Sequence, residues 1–120
     1  MASEKLVHHQ INYIEISVRD MADSQRFYRE AFGWQFNDYG DAYAGIRKGG
    51  GEAGGLRVEE TVSTGGPLVI LYSNDLEATF AAVKAAGATI AKEIFEFPGG
   101  RRFHFEDPSG NELAVWSEPA

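Results

Sequence analysis

The sequence predicts an α+β fold made of two tandem units, each with one strand, one helix and then three further strands. An alternating segment, Ile14 to Val18, precedes Asp20, an amphipathic helix and Gly33. The same order recurs around Asp75 and ends at Gly87. The Asp-to-Gly spacings are 13 and 12 residues, and the two aspartates are 55 residues apart. A repeat of this length indicates a duplicated supersecondary unit.

Composition narrows the class of protein. With 120 residues, 43% of them apolar, we expect a single domain over residues 1–120, with its units at about 10–62 and 67–118. The net charge of -7 disfavours nucleic acid and anionic membranes as partners. Cysteine is absent, which excludes disulfides and thiolate metal sites. The polar first ten residues and the lack of a long apolar run predict a soluble, cytoplasmic protein.

The first unit is predicted to open with a strand at 11–18, where Ile14, Ile16 and Val18 alternate with polar residues. Asp20 or Asp23 is suited to cap the helix that follows. An apolar stripe with helical spacing indicates the buried side of that helix. Its members are Ser24, Phe27, Tyr28, Ala31 and Phe32, and Gly33 then suits a left-handed helix end.

Three strands, at 34–37, 42–47 and 55–60, are expected after this helix. Residues 49–54 spell Gly-x-Gly-x-x-Gly, but a phosphate-binding loop needs a helix directly after it, and a strand pattern follows instead. We therefore interpret the glycines as a hairpin turn. The segment 64–67, Thr-Gly-Gly-Pro, is the expected link between the units.

The second unit repeats the pattern, with a strand at 67–73, a helix that ends at Gly87, and strands at 89–95, 102–106 and 112–117. Turns are predicted at 98–100 and at 107–110, where Asp-Pro-Ser-Gly suits a type I turn. One side of the helix is apolar. It carries Leu76, Thr79, Phe80, Val83 and Ala86.

This doubled unit resembles the vicinal oxygen chelate superfamily, which contains glyoxalase I, bleomycin-resistance proteins and extradiol dioxygenases. The resemblance covers nearly the whole chain beyond residue 10 and implies curved mixed sheets around a cup, helices outside and a homodimer. Phe32-Gly33-Trp34 in particular resembles the small bacterial group related to lactoylglutathione lyase. The matching segments are Val18-Arg19-Asp20, Phe27-Tyr28, Phe32-Gly33-Trp34, Leu76 to Gly87, and Phe105 to Leu113.

The resemblance also implies where metal ligands stand in members that use a metal. The first position falls on Tyr13, its counterpart on Leu68 and the last on Ala114, while Arg57 and Glu59 lie near the remaining one. Two of these side chains have no donor atom, and a phenolate is an unusual ligand for a hard cation. We therefore expect no metal cofactor, except at a non-standard site.

Candidate catalytic residues lie on two strands. Glu15 shares strand parity with Tyr13, and a carboxylate among aromatic rings suits a general base, although a structural hydrogen-bonding role is the alternative. His104 shares a face with Glu106, and Glu112 follows the turn. This histidine suits acid-base chemistry or a relocated metal site, although a structural strand residue with a satisfied ring nitrogen is favoured.

Candidate ligand-binding residues are Tyr13, Tyr43, Tyr72, Arg102 and Trp116, because aromatic walls with few polar groups suit a small organic ligand. Arg101 and Arg102 could each hold a carboxylate or phosphate, with pairing to a local glutamate as the alternative. The pair His8 and His9 is expected in a frayed terminus without a role.

Two functions from different classes follow. The favoured one is a bleomycin-resistance-like protein that binds a small organic molecule in the cup without a metal. The alternative is a lyase- or isomerase-type enzyme acting next to a carbonyl, with Glu15 as the base and a relocated metal or Arg and Tyr side chains polarising the oxygen. A domain whose main role is dimerisation is a third possibility.

Overall fold

The computed structural model describes residues 6–61 and 66–120, and it confirms the α+β class with the unit strand-helix-three strands occurring twice. Strand β1 is Ile11–Val18, α1 is Met21–Phe32, β2 is Phe36–Asp38, β3 is Tyr43–Lys48 and β4 is Gly51–Val58. Strand β5 is Leu68–Tyr72, α2 is Leu76–Ala85, β6 is Thr89–Phe97, β7 is Gly100–Glu106 and β8 is Glu112–Ser117.

These elements form two compact units. The first comprises residues 13–67, and the second comprises 68–120 together with 6–12, so strand β1 contributes to both. In the first unit the strand order is β2-β3-β4-β1, with β1 parallel to β4 and the other neighbours antiparallel. Val18, Ile46 and Leu56 form its core, and Met21 and Tyr28 of α1 pack against them. The sheet therefore has a core face towards α1 and an opposite face, here called the polar face.

A register shift in the hairpin β3-β4 decides on which face Glu52 lies. Ile46 pairs with Gly54 whereas Arg47 pairs with Glu52, so β4 has one more residue than β3 at this point. Such a bulge interrupts the alternation of side chains along a strand. By alternation alone Glu52 would share the core face with Leu56. As the cross-strand partner of Arg47 it lies on the polar face instead.

Both helices begin and end as their flanking residues predict. Asp20 caps α1 by accepting the Asp23 backbone N–H at 2.8 Å, and Asp75 caps α2 by accepting that of Ala78 at 3.1 Å. Gly33 ends α1 in the left-handed conformation at φ 72°, where a side chain would be strained. The two caps stand at equivalent places in the repeat, which confirms its use in placing the helices.

The second unit contains a sheet of order β5-β8-β7-β6, with β5 parallel to β8 and the other neighbours antiparallel. Its core is formed by Leu76 of α2 together with Phe103 and Val115, which lie on one face of the sheet. The turn between β7 and β8 is closed by a hydrogen bond from the Gly110 N–H to the Asp107 carbonyl at 2.9 Å, as the sequence predicts. The opposite face of this sheet is here called the aromatic face.

The glycine-rich stretch at 49–54 lies in the β3-β4 hairpin and no helix follows it, so the hairpin prediction is confirmed. Some strand bounds are wrong. Strand β4 begins at Gly51 instead of residue 55, because residues without branched side chains still complete the ladder with β3. Strand β7 begins at Gly100 instead of residue 102. Of the expected link at 64–67, residues 64 and 65 lie outside the described part of the chain.

The prediction of a frayed segment at His8 and His9 is wrong. The backbone N–H of His9 donates to the Tyr72 carbonyl at 2.6 Å, and its Nε2 lies 3.0 Å from the Thr79 hydroxyl oxygen. Nδ1 of His8 accepts the backbone N–H of Asn74 at 3.0 Å. These bonds join the segment to the second unit.

Neither α1 nor α2, the helices within 6–61 and 66–120, is long and apolar enough to cross a membrane.

Candidate functional site

The polar face of the first unit joins three of the predicted site residues in one hydrogen-bonded chain. Tyr43 donates its hydroxyl proton to Glu15 Oε2 at 3.0 Å, and the hydroxyl oxygens of Tyr13 and Tyr43 lie 2.8 Å apart. Glu15 is only 8% exposed, and Arg57 Nη1 lies 3.6 Å from its Oε1. The strand parity that predicted Tyr13 and Glu15 on one face therefore holds in the structure.

Glu52 completes this chain, although no sequence pattern predicted it as a site residue. Its Oε2 accepts hydrogen bonds from the Tyr39 hydroxyl at 2.5 Å and from Asn37 Nδ2 at 2.9 Å. Its Oε1 lies 3.5 Å from the Tyr13 hydroxyl. Glu52 reaches this position because of the bulge described above. A signal that could have indicated it is the clustering of glycines around a single charged residue at 49–55.

Two glycines leave room for these side chains to lie against the sheet. A Cβ on Gly45 would stand 2.1 Å from Glu52 Oε2, and a Cβ on Gly55 would stand 2.1 Å from the Tyr43 hydroxyl oxygen. Heavy atoms do not approach so closely without displacement. The glycines of β3 and β4 therefore allow the carboxylate and the phenol to reach their partners.

Both central phenols stay protonated over the physiological range. Burial, the largest cause, raises the pKa of Tyr13 above its usual range, and the nearby charges of Glu52 and Glu15 raise it further. Burial likewise raises the pKa of Tyr43, together with its hydrogen bond to Tyr13. Desolvation disfavours a phenolate, and adjacent carboxylates repel it. Tyr13 and Tyr43 therefore act here as neutral hydroxyl groups that can donate and accept.

The aromatic face of the second unit brings together Tyr72, Arg102 and Trp116. The ring centroids of Tyr72 and Trp116 are 5.3 Å apart. The Arg102 guanidinium carbon lies 5.6 Å from the ring centroid of Phe95 and 5.5 Å from that of Phe97. Arg102 is only 7% exposed. Its charge is thus held between ring faces, an arrangement stabilised by the ring quadrupoles.

His104 lies on the same face, two residues along β7 from Arg102. Its Nδ1 is 2.8 Å from Glu112 Oε2, and because a carboxylate only accepts, Nδ1 carries the proton. Nε2 of the neutral ring is then an acceptor. His104 is 3% exposed, and within residues 6–61 and 66–120 its Nε2 has no hydrogen-bond partner. The structure therefore satisfies one ring nitrogen and leaves a buried lone pair at the other.

Burial lowers the pKa of His104 below its usual value, although its hydrogen bond to Glu112 acts in the opposite direction. The nearby cations Arg102 and Lys92 also lower it. A histidine with a depressed folded-state pKa stabilises the fold above the unfolded pKa of about 6.5, and this contribution decreases as the pH falls towards the folded value.

We therefore expect the free energy of unfolding to decrease between pH 7 and 5 more steeply in the wild type than in His104→Gln. One proton accounts for at most about 1.4 kcal/mol per pH unit of this difference. Urea unfolding of both proteins across this range measures the slopes, and the carboxylates common to both cancel in the comparison. Equal slopes would mean that His104 binds protons equally in the folded and unfolded states.

Neighbouring arginines of β7 have different surroundings. Arg101 forms an ion pair with Glu77 of α2 at 2.5 Å, so the expected pairing with a local glutamate is found for this residue. Arg102 points to the opposite face, because successive residues of a strand alternate. Trp116 donates its indole N–H to Asn12 at 3.0 Å, which fixes the orientation of its ring.

At the positions where the resemblance implies metal ligands, the side chains present offer a hard divalent cation few donor atoms. Tyr13 is a neutral phenol bonded to Tyr43, and Leu68 and Ala114 have no donor atoms. Near the fourth position, Glu59 accepts a hydrogen bond from Ser17 at 2.6 Å. In the described part of the chain, no three or more His, Asp or Glu residues form a cluster that could hold a metal ion. The absence of a metal cofactor stays a prediction.

The fold and these two faces define a class of small α+β proteins with paired strand-helix-three-strand units. Residues 10–115 match the sequence profile of the Glyoxalase/Bleomycin resistance protein/Dioxygenase superfamily, and the chain belongs to this family. A comparison with curated proteins finds no significant match. The predicted resemblance to the vicinal oxygen chelate superfamily is thus confirmed.

Solved structures with the same fold have varied activities. The Mn(II)-bound glyoxalase from Novosphingobium aromaticivorans is 24% identical with a TM-score of 0.69, covering 94% of this chain and 40% of that one. Methylmalonyl-CoA epimerase from Mycobacterium tuberculosis is 17% identical with a TM-score of 0.66, covering 100% and 93%. A superfamily member from Vibrio splendidus 12B01 is 18% identical with a TM-score of 0.67, covering 88% and 97%. At these identities the likeness shows the fold alone.

Proposed function

We propose that the protein binds a small aromatic acid on the aromatic face of its second unit. The observation that supports this most directly is the burial of the Arg102 guanidinium against the Phe95 and Phe97 rings. The Nε2 of His104, on the same face, has no hydrogen-bond partner within the described residues. Small-molecule sites typically combine apolar and aromatic walls with a few placed polar groups. Arginine presents several N–H donors in a fork that matches a carboxylate.

The two polar groups specify the ligand further. Residues two apart on a strand are about 6.6 Å apart, so Arg102 and His104 can contact opposite ends of one benzene-sized molecule. A carboxylate suits the guanidinium, whereas the unprotonated Nε2 needs a donor such as a hydroxyl group. The proposed ligand class is therefore hydroxy-substituted aromatic carboxylic acids, with 4-hydroxybenzoate as a probe. The expected homodimer and cytoplasmic location stay predictions.

Calorimetric titration of the protein with 4-hydroxybenzoate and with benzoate tests this function. We expect stoichiometric binding, tighter for the hydroxy acid, and a loss of affinity in Arg102→Met of about 10- to 100-fold, the worth of a hydrogen bond to a charged group. The matched control is Arg101→Met, the adjacent residue on the other face, which should retain wild-type affinity.

Thermal unfolding and circular dichroism of both variants show whether they fold. Binding that is equally strong in Arg102→Met would contradict the proposal, as would the absence of stoichiometric binding by any hydroxy-substituted benzoate. His104→Phe keeps an aromatic ring but removes the acceptor nitrogen, so it should reduce the preference for 4-hydroxybenzoate over benzoate and leave benzoate binding intact.

A further inference from the structure

The geometry of the polar face points to a proton relay from Glu15 to Glu52 through the hydroxyl groups of Tyr43 and Tyr13. This inference concerns the first unit and goes beyond the ligand binding proposed for the second. Four side chains from three strands stand in sequence, with oxygen-oxygen distances of 3.0, 2.8 and 3.5 Å. Glu15 at one end is buried, whereas Glu52 at the other end is half-exposed.

The three links of the relay are hydrogen bonds, and each of them needs one proton. Each phenol supplies one proton, and an ionised carboxylate supplies none. Two phenols therefore fill two of the three links, and the third is filled only when one of the two carboxyl groups carries a proton. When all three hydrogen bonds are formed, the relay holds one proton in addition to those of the two phenols. That proton can reside on either Glu15 or Glu52.

The distances match an arrangement in which both phenols donate towards Glu15. Tyr13 then donates to Tyr43, and Tyr43 donates to Glu15, which gives two short links of 2.8 and 3.0 Å. The remaining link, from Tyr13 to Glu52, is the long one at 3.5 Å. In this arrangement Glu52 receives no hydrogen bond from Tyr13, but its carboxylate is still satisfied because Tyr39 and Asn37 donate to its other oxygen.

Proton transfer along the chain balances without any other reactant. When Glu15 takes up a proton, both hydroxyls rotate so that Tyr43 donates to Tyr13 and Tyr13 donates to Glu52. Glu15 then gives its proton to the Tyr43 oxygen as Tyr43 passes its own proton to Tyr13. Tyr13 in turn passes its proton to Glu52 Oε1, so both phenols are restored and one proton has moved from Glu15 to Glu52. The high phenol pKa values keep both hydroxyls neutral before and after the transfer.

Charged groups flank the relay at both ends. Arg57 of β4 contacts Glu15 at 3.6 Å, and its Nε lies 3.8 Å from Glu59. Arg47 of β3 is the register partner of Glu52, and Tyr39 donates to that carboxylate. A positively charged side chain thus stands next to the carboxylate at each end of the relay.

Carbon-13 NMR of Cδ-labelled glutamate side chains tests the relay, with the two resonances assigned through Glu15→Gln and Glu52→Gln. Sites that share a proton titrate together in macroscopic steps that belong to the pair. We expect the Glu15 and Glu52 curves each to show the same two midpoints in the wild type. Tyr13→Phe should reduce each curve to a single step, because it removes the hydroxyl that joins the two halves.

Tyr39→Phe is the matched control, since it removes a phenol donor to Glu52 that lies outside the relay, and both curves should keep two shared steps. Tyr43→Phe breaks the relay at its other link and provides a second test if Tyr13→Phe folds poorly. Two-step curves that persist in both relay variants would show direct charge repulsion between the carboxylates and overturn the relay. Single, independent steps in the wild type would overturn it as well.

Discussion

Gly54→Ala is expected to destabilise the fold strongly, because the added methyl group meets the backbone of the neighbouring strand. A Cβ at this position would stand 1.9 Å from the carbonyl oxygen of Ile14 and 2.9 Å from its carbonyl carbon. These are backbone atoms of the neighbouring strand, so no side chain can rotate away to make room. Because Ile14 and Gly54 are register partners, β1 and β4 must separate where they pair.

The expected cost is about 4 kcal/mol or more, in the range reserved for specific steric or packing failures. Typical domains have a stability of about 5–15 kcal/mol, so the variant should be partly unfolded at 25 °C or melt at least about 15 °C below the wild type. Urea and thermal unfolding followed by circular dichroism measure this. Gly49→Ala is the control, because its left-handed φ of 51° in open space limits the cost to about 1–2 kcal/mol. Equal costs at the two positions would contradict the argument.

Much of the fold could be predicted because its signals are local. Asp20 and Gly33 act through hydrogen bonds and backbone conformations within a few residues, so their roles are readable from the neighbouring sequence. The alternation that placed Tyr13 and Glu15 together is equally local. The repeat then transferred each interpretation to the second unit, where Asp75 caps α2.

Glu52 was not predicted, since its position depends on a bulge in the pairing of β3 with β4, and the glycines around it are only an indirect local signal. Expecting the strand to begin at residue 55 placed Glu52 in a turn, and simple alternation would have placed it on the core face. Tyr39 and Asn37 were missed for the same reason, because their importance follows from contact with Glu52. Long-range register controls this part of the site.

The residues of β7 show the opposite case, in which the structure separates candidates that the sequence grouped. Arg101 and Arg102 were both candidates for binding an anion, but alternation sends Arg101 to Glu77 and Arg102 to the aromatic face. For His104 the sequence offered both Glu106 and Glu112 as neighbours. The β7-β8 register pairs His104 with Ala114 and Glu106 with Glu112, so Glu112 lies diagonally across the hairpin from His104, and its Oε2 is 2.8 Å from the Nδ1 of His104.

Gly55→Ala, one residue beyond Gly54, is expected to preserve the fold while breaking the hydrogen-bonded chain of the polar face. Its Cβ would stand 2.1 Å from the hydroxyl oxygen of Tyr43 and 2.4 Å from Cζ, so a side chain is displaced and the backbone pairing of β4 remains. Glu15 then loses a phenol donor while it stays buried. Losing a hydrogen bond to a charged group costs about 1.5–3 kcal/mol.

A double-mutant cycle with Tyr43→Phe isolates this cause, because both substitutions remove the same hydrogen bonds of Tyr43. We expect the cost of Gly55→Ala plus Tyr43→Phe to be smaller than the sum of the single costs by about 1 kcal/mol, as measured by urea unfolding. Strictly additive costs would show that a methyl group at residue 55 acts on something other than the Tyr43 hydroxyl. The adjacent glycines thus have separable roles. Gly54 leaves space for the backbone of β1, and Gly55 leaves space for the Tyr43 phenol that donates to Glu15.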